Sequence, residues 1–386
     1  MSRLVRGAAT ALQGLGGVMG VTLLYWFFRP NRASVNAEVV LETWDAVADG
    51  THNSNTDLTF WNGWFYLIHQ TSPYHLASSK SRLVLWRSRD ARRWEKVTEF
   101  KAGRGEYRDP KFAAIGERLF LFVLPNRDLL AEPFTTAYAY SEDGTSWTAM
   151  EELEPRGWLF WRPKTRDGST WYVPAYWHEH GRSILLKSSD GVNWLTVSKI
   201  YEGEKNDETD FEFLPDGRML ATGRLEGSGS VFGDATASTL IAVASPPYED
   251  WAYQRSRVTR LDGPCLFRYR ENVYAIGRYQ ASFTPRFSEQ GSIYSRKRTS
   301  LVLVKADGLR YLTDLPSAGD TSYAGVVMRD DELYVSYYTS RTDRDYPWIA
   351  GMFRPSNIVM ARILLPAMAR LAQEKSTAED AGSDGA

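Results

Sequence analysis

Glu208 and Arg224 lie on either side of an Asp216-Gly217 turn in the segment ETDFEFLPDGRMLATGR. In an antiparallel hairpin, positions equidistant from the turn face each other, so this carboxylate should meet this guanidinium. The same folding about a turn brings Asp57 near His69, the Pro264 end of another hairpin near Arg278, and Tyr323 opposite Tyr337. Arg108, Asp109 and Arg162 stand at the starts of comparable strands. Charged side chains are costly inside a sheet unless paired, so their recurrence at one phase needs a reason. Watery channels tolerate charged pairs as structure, yet convergent charges in a concave site are the usual mark of function. The His178-Glu179-His180 run has metal-ligand types, but in a loop after a strand it reads as a solvated rim, and no metal or other cofactor is expected.

These residues recur because the chain repeats. Between residues 45 and 365 a unit of about 50 residues returns six times, a period typical of arrays, solenoids and propellers. Its openings are TDLTFWNGWFYLIHQ, RDPKFAAIGERLFLFV, RPKTRDGSTWYVPAY, TDFEFLPDGRMLATGR, GPCLFRYRENVYAIGR and TSYAGVVMRDDELYVSYY. In each, apolar, β-branched or aromatic residues flank a turn such as Asn62-Gly63 or Asp167-Gly168, the signal of a tight hairpin. No long helical pattern interrupts them, which excludes parallel α/β sheets. Four-stranded units that bury their faces by radial stacking make an all-β chain with one propeller domain over residues 40–366. Six blades are expected, or five if one hairpin is accessory. Such a fold delivers the starts of all inner strands to one rim of a central channel.

The second half of the unit carries the form S-x-D-x-x-x-W at Ser88-Asp90-Trp94, Ser141-Asp143-Trp147 and Ser188-Asp190-Trp194. Serine and aspartate oxygens accept the turn's own amides, and tryptophan packs between neighbouring sheets, so the motif speaks for fold and not for chemistry.

The composition fits a folded chain: 386 residues, 43% hydrophobic, 24% charged and 13% aromatic. A formal charge of −1 leaves no global field to attract nucleic acid, and none is expected as a partner. A single cysteine, Cys265, excludes an intrachain disulfide framework. Residues 1–36 contain an uncharged run from Ala8 to Phe28 flanked by arginines, about the roughly 20 residues a membrane span needs. It is expected to form a hydrophobic helix that anchors the protein to a membrane, with the propeller outside the cytoplasm. Cleavage of the run as an export signal would instead make the protein secreted. Residues 374–386 are small and polar and are expected to form a disordered tail.

The serine–aspartate turns resemble the Asp-box (BNR) repeat of the sialidase superfamily. The segment ETDFEFLPDGRMLATGR looks like the sialidase stretch in which a glutamate precedes an arginine by sixteen positions, and Glu208 and Arg224 match them. GDTSYAGVVMRDDELYVSYY looks like the segment bearing that family's nucleophilic tyrosine, matched by Tyr323. The resemblance implies a glycoside hydrolase that cleaves a terminal sugar, which can be anionic. Glu208 would polarise Tyr323, and Arg224, Arg278 and Arg108 or Arg162 would hold the substrate beside His69 and Tyr337. Asp57 or Asp109 would donate the proton, because the family's acid has no counterpart in HLASSKSRLVLWRS, just as its first arginine is replaced by Thr56-Asp57-Leu58. Two other readings stay open. One is a furanosidase-type glycosidase working with Asp57, Asp109 and Glu208 or Asp210 alone. The other is a propeller that binds glycan or protein without turnover.

Overall fold

The structure, a computed structural model, describes Gly17 and residues 32–127, 132–281 and 288–383. The described chain is built mainly of antiparallel strands, arranged as a β-propeller. One sheet holds β6 (Glu106–Ile115), β7 (Arg118–Asn126), β8 (Ala137–Ser141) and β9 (Glu151–Glu152). The next holds β10 (Trp158–Phe160), β11 (Lys164–Thr165), β12 (Trp171–Trp177), β13 (Arg182–Ser188) and β14 (Leu195–Glu202), with β10 and β11 both paired to β12. Two more follow: β15 (Asn206–Phe213) to β18 (Trp251–Ser256), with β16 (Met219–Leu225) and β17 (Ser238–Ala244) between, and β19 (Asp262–Tyr269), β20 (Asn272–Gln280), β21 (Lys297–Lys305) and β22 (Gly308–Asp314).

The remaining sheet contains both ends of the chain. It joins β2 (His52–Trp61), β3 (Trp64–Ser72), β4 (Arg82–Ser88) and β5 (Glu95–Phe100) to β23 (Thr321–Arg329), β24 (Glu332–Ser340), β25 (Ser356–Leu364) and β1 (Val40–Val47). A single parallel pair, His52 with Ser356, bridges the two sets. The early strand β1 completes the late set by pairing antiparallel with β25, which closes the ring and covers an edge that would otherwise be open.

The core lies between sheets. Trp194 is buried with ring centroids 6.1 Å from Phe122 and 5.1 Å from Phe160, so one motif tryptophan fills the gap between two neighbours. The turns themselves are built as expected. Asp143 Oδ1 accepts the amides of Thr145 and Ser146, each at 2.7 Å, and Asp90 and Asp190 repeat the pattern.

Both expected boundaries change. Ser34 and Asn36, assigned to the N-terminal segment, are tied to the end of β22 through Asp314 and Thr313, at 2.8 Å each. The tail expected to be disordered from residue 374 instead continues a helix, α2 (Leu365–Ser383). Its Met368 and Ala372 are buried on the apolar cluster of Leu312, Leu315 and Ile363, and alanine, glutamate and lysine extend it at low cost. The hydrophobic run from Ala8 to Phe28 falls outside the described residues apart from Gly17. Among the described residues no helix is long and apolar enough to cross a membrane.

Candidate active site

Five inner strands carry the same irregularity at the same depth. Two consecutive residues stand opposite one residue of the second strand: Asn55-Thr56 in β2, Asp109-Pro110 in β6, Asp207-Glu208 in β15, Gly263-Pro264 in β19 and Tyr323-Ala324 in β23. The break between β10 and β11, at Trp161-Arg162-Pro163, is the counterpart in the remaining set. A bulge re-aims side chains that a regular pleat would send elsewhere. Three of the four expected catalytic residues, Asp109, Glu208 and Tyr323, are bulge residues. Asp109 and Tyr323 adopt positive φ, 46° and 49°, a conformation costing about 1–3 kcal/mol that the surrounding structure must enforce.

These bulges bring residues 115 positions apart into contact. Tyr323 donates its hydroxyl hydrogen to Glu208 Oε1. The other carboxylate oxygen, Oε2, accepts the Gly263 amide at 2.7 Å and lies 3.1 Å from Arg224 Nη1. Gly263 is required here: at φ 60° it points its N–H at Glu208, and a Cβ would sit 2.9 Å from the Tyr323 ring. Burial is the main reason the Glu208 carboxyl is pushed up to about 7, helped by the Asp207 and Asp262 charges and opposed by Arg224. Burial and the neighbouring Glu208 likewise hold the Tyr323 phenol well above its usual range, so both partners favour keeping one proton between them.

Asp109 completes the arrangement. Its charge bears on Tyr323 and on the buried Tyr176, and its Oδ1 is buried without a hydrogen-bond partner. A buried polar atom left open in this way has capacity for a ligand.

The other expected residues divide. Arg224 is held by Asp207 (Nε to Oδ1 2.8 Å) and lies 3.3 Å from Glu226. Arg108 is buried on Glu106 at 2.9 Å, with Nη2 on the His75 carbonyl. Arg162 is buried on Asp57 at 2.5 Å. Arg278 is buried over the Tyr323 ring, 4.9 Å from its centroid. All four are largely buried, and each already faces a carboxylate.

Asp57, one of two expected proton donors, has both oxygens engaged: Oδ1 by Arg162 and Oδ2 by the Phe112 amide at 2.7 Å, which fastens one sheet to the next. Asp210 does the same for Leu266, also at 2.7 Å, so the carboxylate-only reading loses two of its groups to structure. Tyr337 stands opposite Tyr323-Ala324 as expected, whereas His69 stands opposite Asn55-Thr56 and Asp57 pairs with Ile68; neither side chain joins the Tyr323–Glu208 pair. The His69 ring accepts the Trp86 indole N–H at 3.0 Å, and burial holds it down to about 4. Tyr337 points to the face opposite Tyr338 and donates to the Pro316 carbonyl.

The His178-Glu179-His180 run scatters. The His178 ring packs on Trp177, Glu179 accepts the Trp177 indole N–H, and His180 turns to Asp207 and Glu226, each at 3.3 Å. The three donor atoms of this last group lie within 4.8 Å of one another, but Arg224 already neutralises both carboxylates.

Residues not anticipated include Asp207, Glu226, Gly263, Asp262, Asp320, Tyr338 and Trp348. A signal for some was present: Asp109-Pro110, Arg162-Pro163 and Gly263-Pro264 recur at the irregularity, and proline within a strand marks an edge or a bulge.

No protein-family model matches the chain, and no curated protein sequence does. Among solved structures it is similar to Trypanosoma rangeli sialidase in complex with 2,3-difluorosialic acid, a covalent intermediate. The TM-score is 0.62 at 12% identity, covering 88% of this chain and 61% of that one. A mutant of the same sialidase displaying trans-sialidase activity gives 0.61 at 13%, with 88% and 61% covered. The phage phi92 endosialidase gives 0.58 at 11%, with 84% and 69% covered. The chain thus spans about three fifths of the length of the trypanosomal proteins. At this identity the likeness is one of fold: the chain is a sialidase-like β-propeller.

Proposed function

We propose that the protein is a sialidase-like glycoside hydrolase that removes a terminal sugar from a glycan, with Tyr323 as nucleophile, Glu208 as its base and Asp109 as acid. The carrying observation is the buried Tyr323–Glu208 hydrogen bond between two bulges, beside a buried aspartate oxygen with no partner. Folding alone does not account for this concentration of charge, since a buried ion pair is often no more stabilising than apolar residues of the same volume.

In the first step Tyr323 Oη bonds to the anomeric carbon as the glycosidic C–O bond breaks. The phenolic proton passes to Glu208, and Asp109 gives its proton to the departing oxygen. In the second step Asp109 takes a proton from water, and the resulting oxygen attacks the same carbon. The Tyr323–carbon bond breaks, and Glu208 returns its proton to Tyr323.

On this reading the ring has six blades, the eight-stranded sheet counting as two, and the hydrophobic run from Ala8 to Phe28 supplies a membrane anchor or export signal that sets the propeller outside the cytoplasm. The substrate partner is carbohydrate. The test is hydrolysis of a panel of neutral aryl glycosides and aryl sialosides. We expect Tyr323→Phe to lose at least about 10³-fold in kcat while still binding sugar; turnover equal to wild type would remove Tyr323 from the mechanism. Glycan binding by the wild type without any turnover would instead favour the non-catalytic propeller. That alternative draws support from arginines that are all already paired.

A further inference from the structure

We propose that Arg278 serves the nucleophile rather than the substrate: its guanidinium over the Tyr323 ring stabilises negative charge on the phenol oxygen, and Asp320 is the positioning residue that holds it there. The inference rests on Tyr323 being the nucleophile, and it departs from the clamp role that the resemblance implies for Arg278.

A clamp for a substrate carboxylate needs a guanidinium edge free to form paired hydrogen bonds. Arg278 has no such edge. Its Nε donates to the Thr321 carbonyl at 2.9 Å and its Nη2 to Tyr338 Oη at 2.6 Å. Nη2 lies 3.4 Å from Asp320 and Nη1 3.7 Å from Asp262. The group is about 2% exposed and lies over two rings, with centroids 4.9 Å (Tyr323) and 4.7 Å (Trp348) away. A cation over an aromatic face is held by the ring's electrons, and it is held more strongly when the ring becomes a phenoxide.

Asp320 fixes this placement. Its Oδ1 accepts from Tyr338, Trp348 and Arg278, while Oδ2 faces His52 at 3.0 Å and His75 at 2.7 Å. Its partners come from β2, the connection after β3, β20, β24 and the short helix α1 (Trp348–Gly351), so one buried carboxylate sets the position of Arg278 from five directions. The charges bearing on Tyr323 are otherwise Glu208, Arg224, Asp109 and Arg108.

The experiment compares wild type with Arg278→Lys, Arg278→Met and Asp320→Asn by three readouts. With a neutral aryl glycoside and an aryl sialoside, kcat should fall about 10²-fold in Arg278→Met and less in Arg278→Lys, with KM within about threefold for both substrates. Calorimetric binding of N-acetylneuraminic acid should change less than threefold. Titration of 3-fluorotyrosine-labelled protein by 19F NMR, with Tyr323→Phe identifying the resonance, should show the Tyr323 midpoint raised by about one unit or more in Arg278→Met and in Asp320→Asn. Selective loss of acidic-sugar binding would restore the clamp. An unmoved Tyr323 midpoint in Arg278→Met would also overturn the proposal. Because binding and titration are read without turnover, an inactive wild type would sink the hydrolase reading and still leave the placement of charge on Tyr323 decided.

Discussion

At the scale of single residues, environment separates side chains that the sequence leaves equivalent. Asp57 and Asp109 both lie in inner strands, yet one is saturated by Arg162 and the Phe112 amide while the other keeps a buried oxygen open. Asp57→Ala should therefore cost stability, about 3–5 kcal/mol for a broken buried pair, as read in a urea titration. Asp109→Asn should leave stability nearly unchanged and remove activity toward poor leaving groups. The pH dependence follows from Glu208. A base must be ionised to accept the Tyr323 proton, and burial raises this carboxyl to about 7, so kcat/KM should fall as pH drops through about 7. An acid limb near 4, typical of an exposed carboxylate, would count against Glu208 as the base. None of this environment is legible from residue type; the facing of Glu208 and Arg224 is, because both flank a well-marked turn.

At the scale of elements, the bulges decide what faces the channel. Reading each hairpin from its turn put Glu208 against Arg224 and Tyr323 against Tyr337. Both registers hold, since Arg224 and Tyr337 each stand opposite the bulge, but only Arg224 meets its facing residue; Tyr337 donates to the Pro316 carbonyl, and Tyr338 meets Arg278. Turn residues announce a hairpin, but an extra residue in one strand needs no special composition, and the X-Pro steps were its faint trace. Gly263→Ala tests the bulge directly. Positive φ and the Tyr323 ring should make it cost about 1–2 kcal/mol in a thermal melt, and displacing the ring should cut kcat by more than tenfold. The serine–aspartate turns predict an acid effect of opposite character. Backbone amides hold the Asp90 and Asp143 carboxyls below their usual range, so their contribution is present above about pH 4 and lost as pH falls. Substituting both with asparagine should lower Tm at neutral pH and flatten its decline between pH 5 and 3.

At the scale of the whole molecule, the fold gathers groups from distant hairpins by closing a ring, and closure depends on β1 pairing with β25. Deleting residues 40–47 should expose the β25 edge, lower the urea midpoint and increase light scattering on heating. The repeat period and turn spacing made the propeller readable, since each unit signals the same local structure. The helical end beyond residue 374 was not readable, because its polar composition hides two buried contacts, Met368 and Ala372, made just before it. The convergence itself is tested most directly by trapping. Protein incubated with an activated fluorosugar, 2,3-difluorosialic acid first and neutral 2-deoxy-2-fluoroglycosyl fluorides in parallel, is digested and mapped by mass spectrometry. A sugar adduct is expected on the peptide containing Tyr323, absent in Tyr323→Phe and slow to form in Glu208→Gln. Turnover of the matching glycoside with no adduct, or an adduct on any other residue, would contradict it.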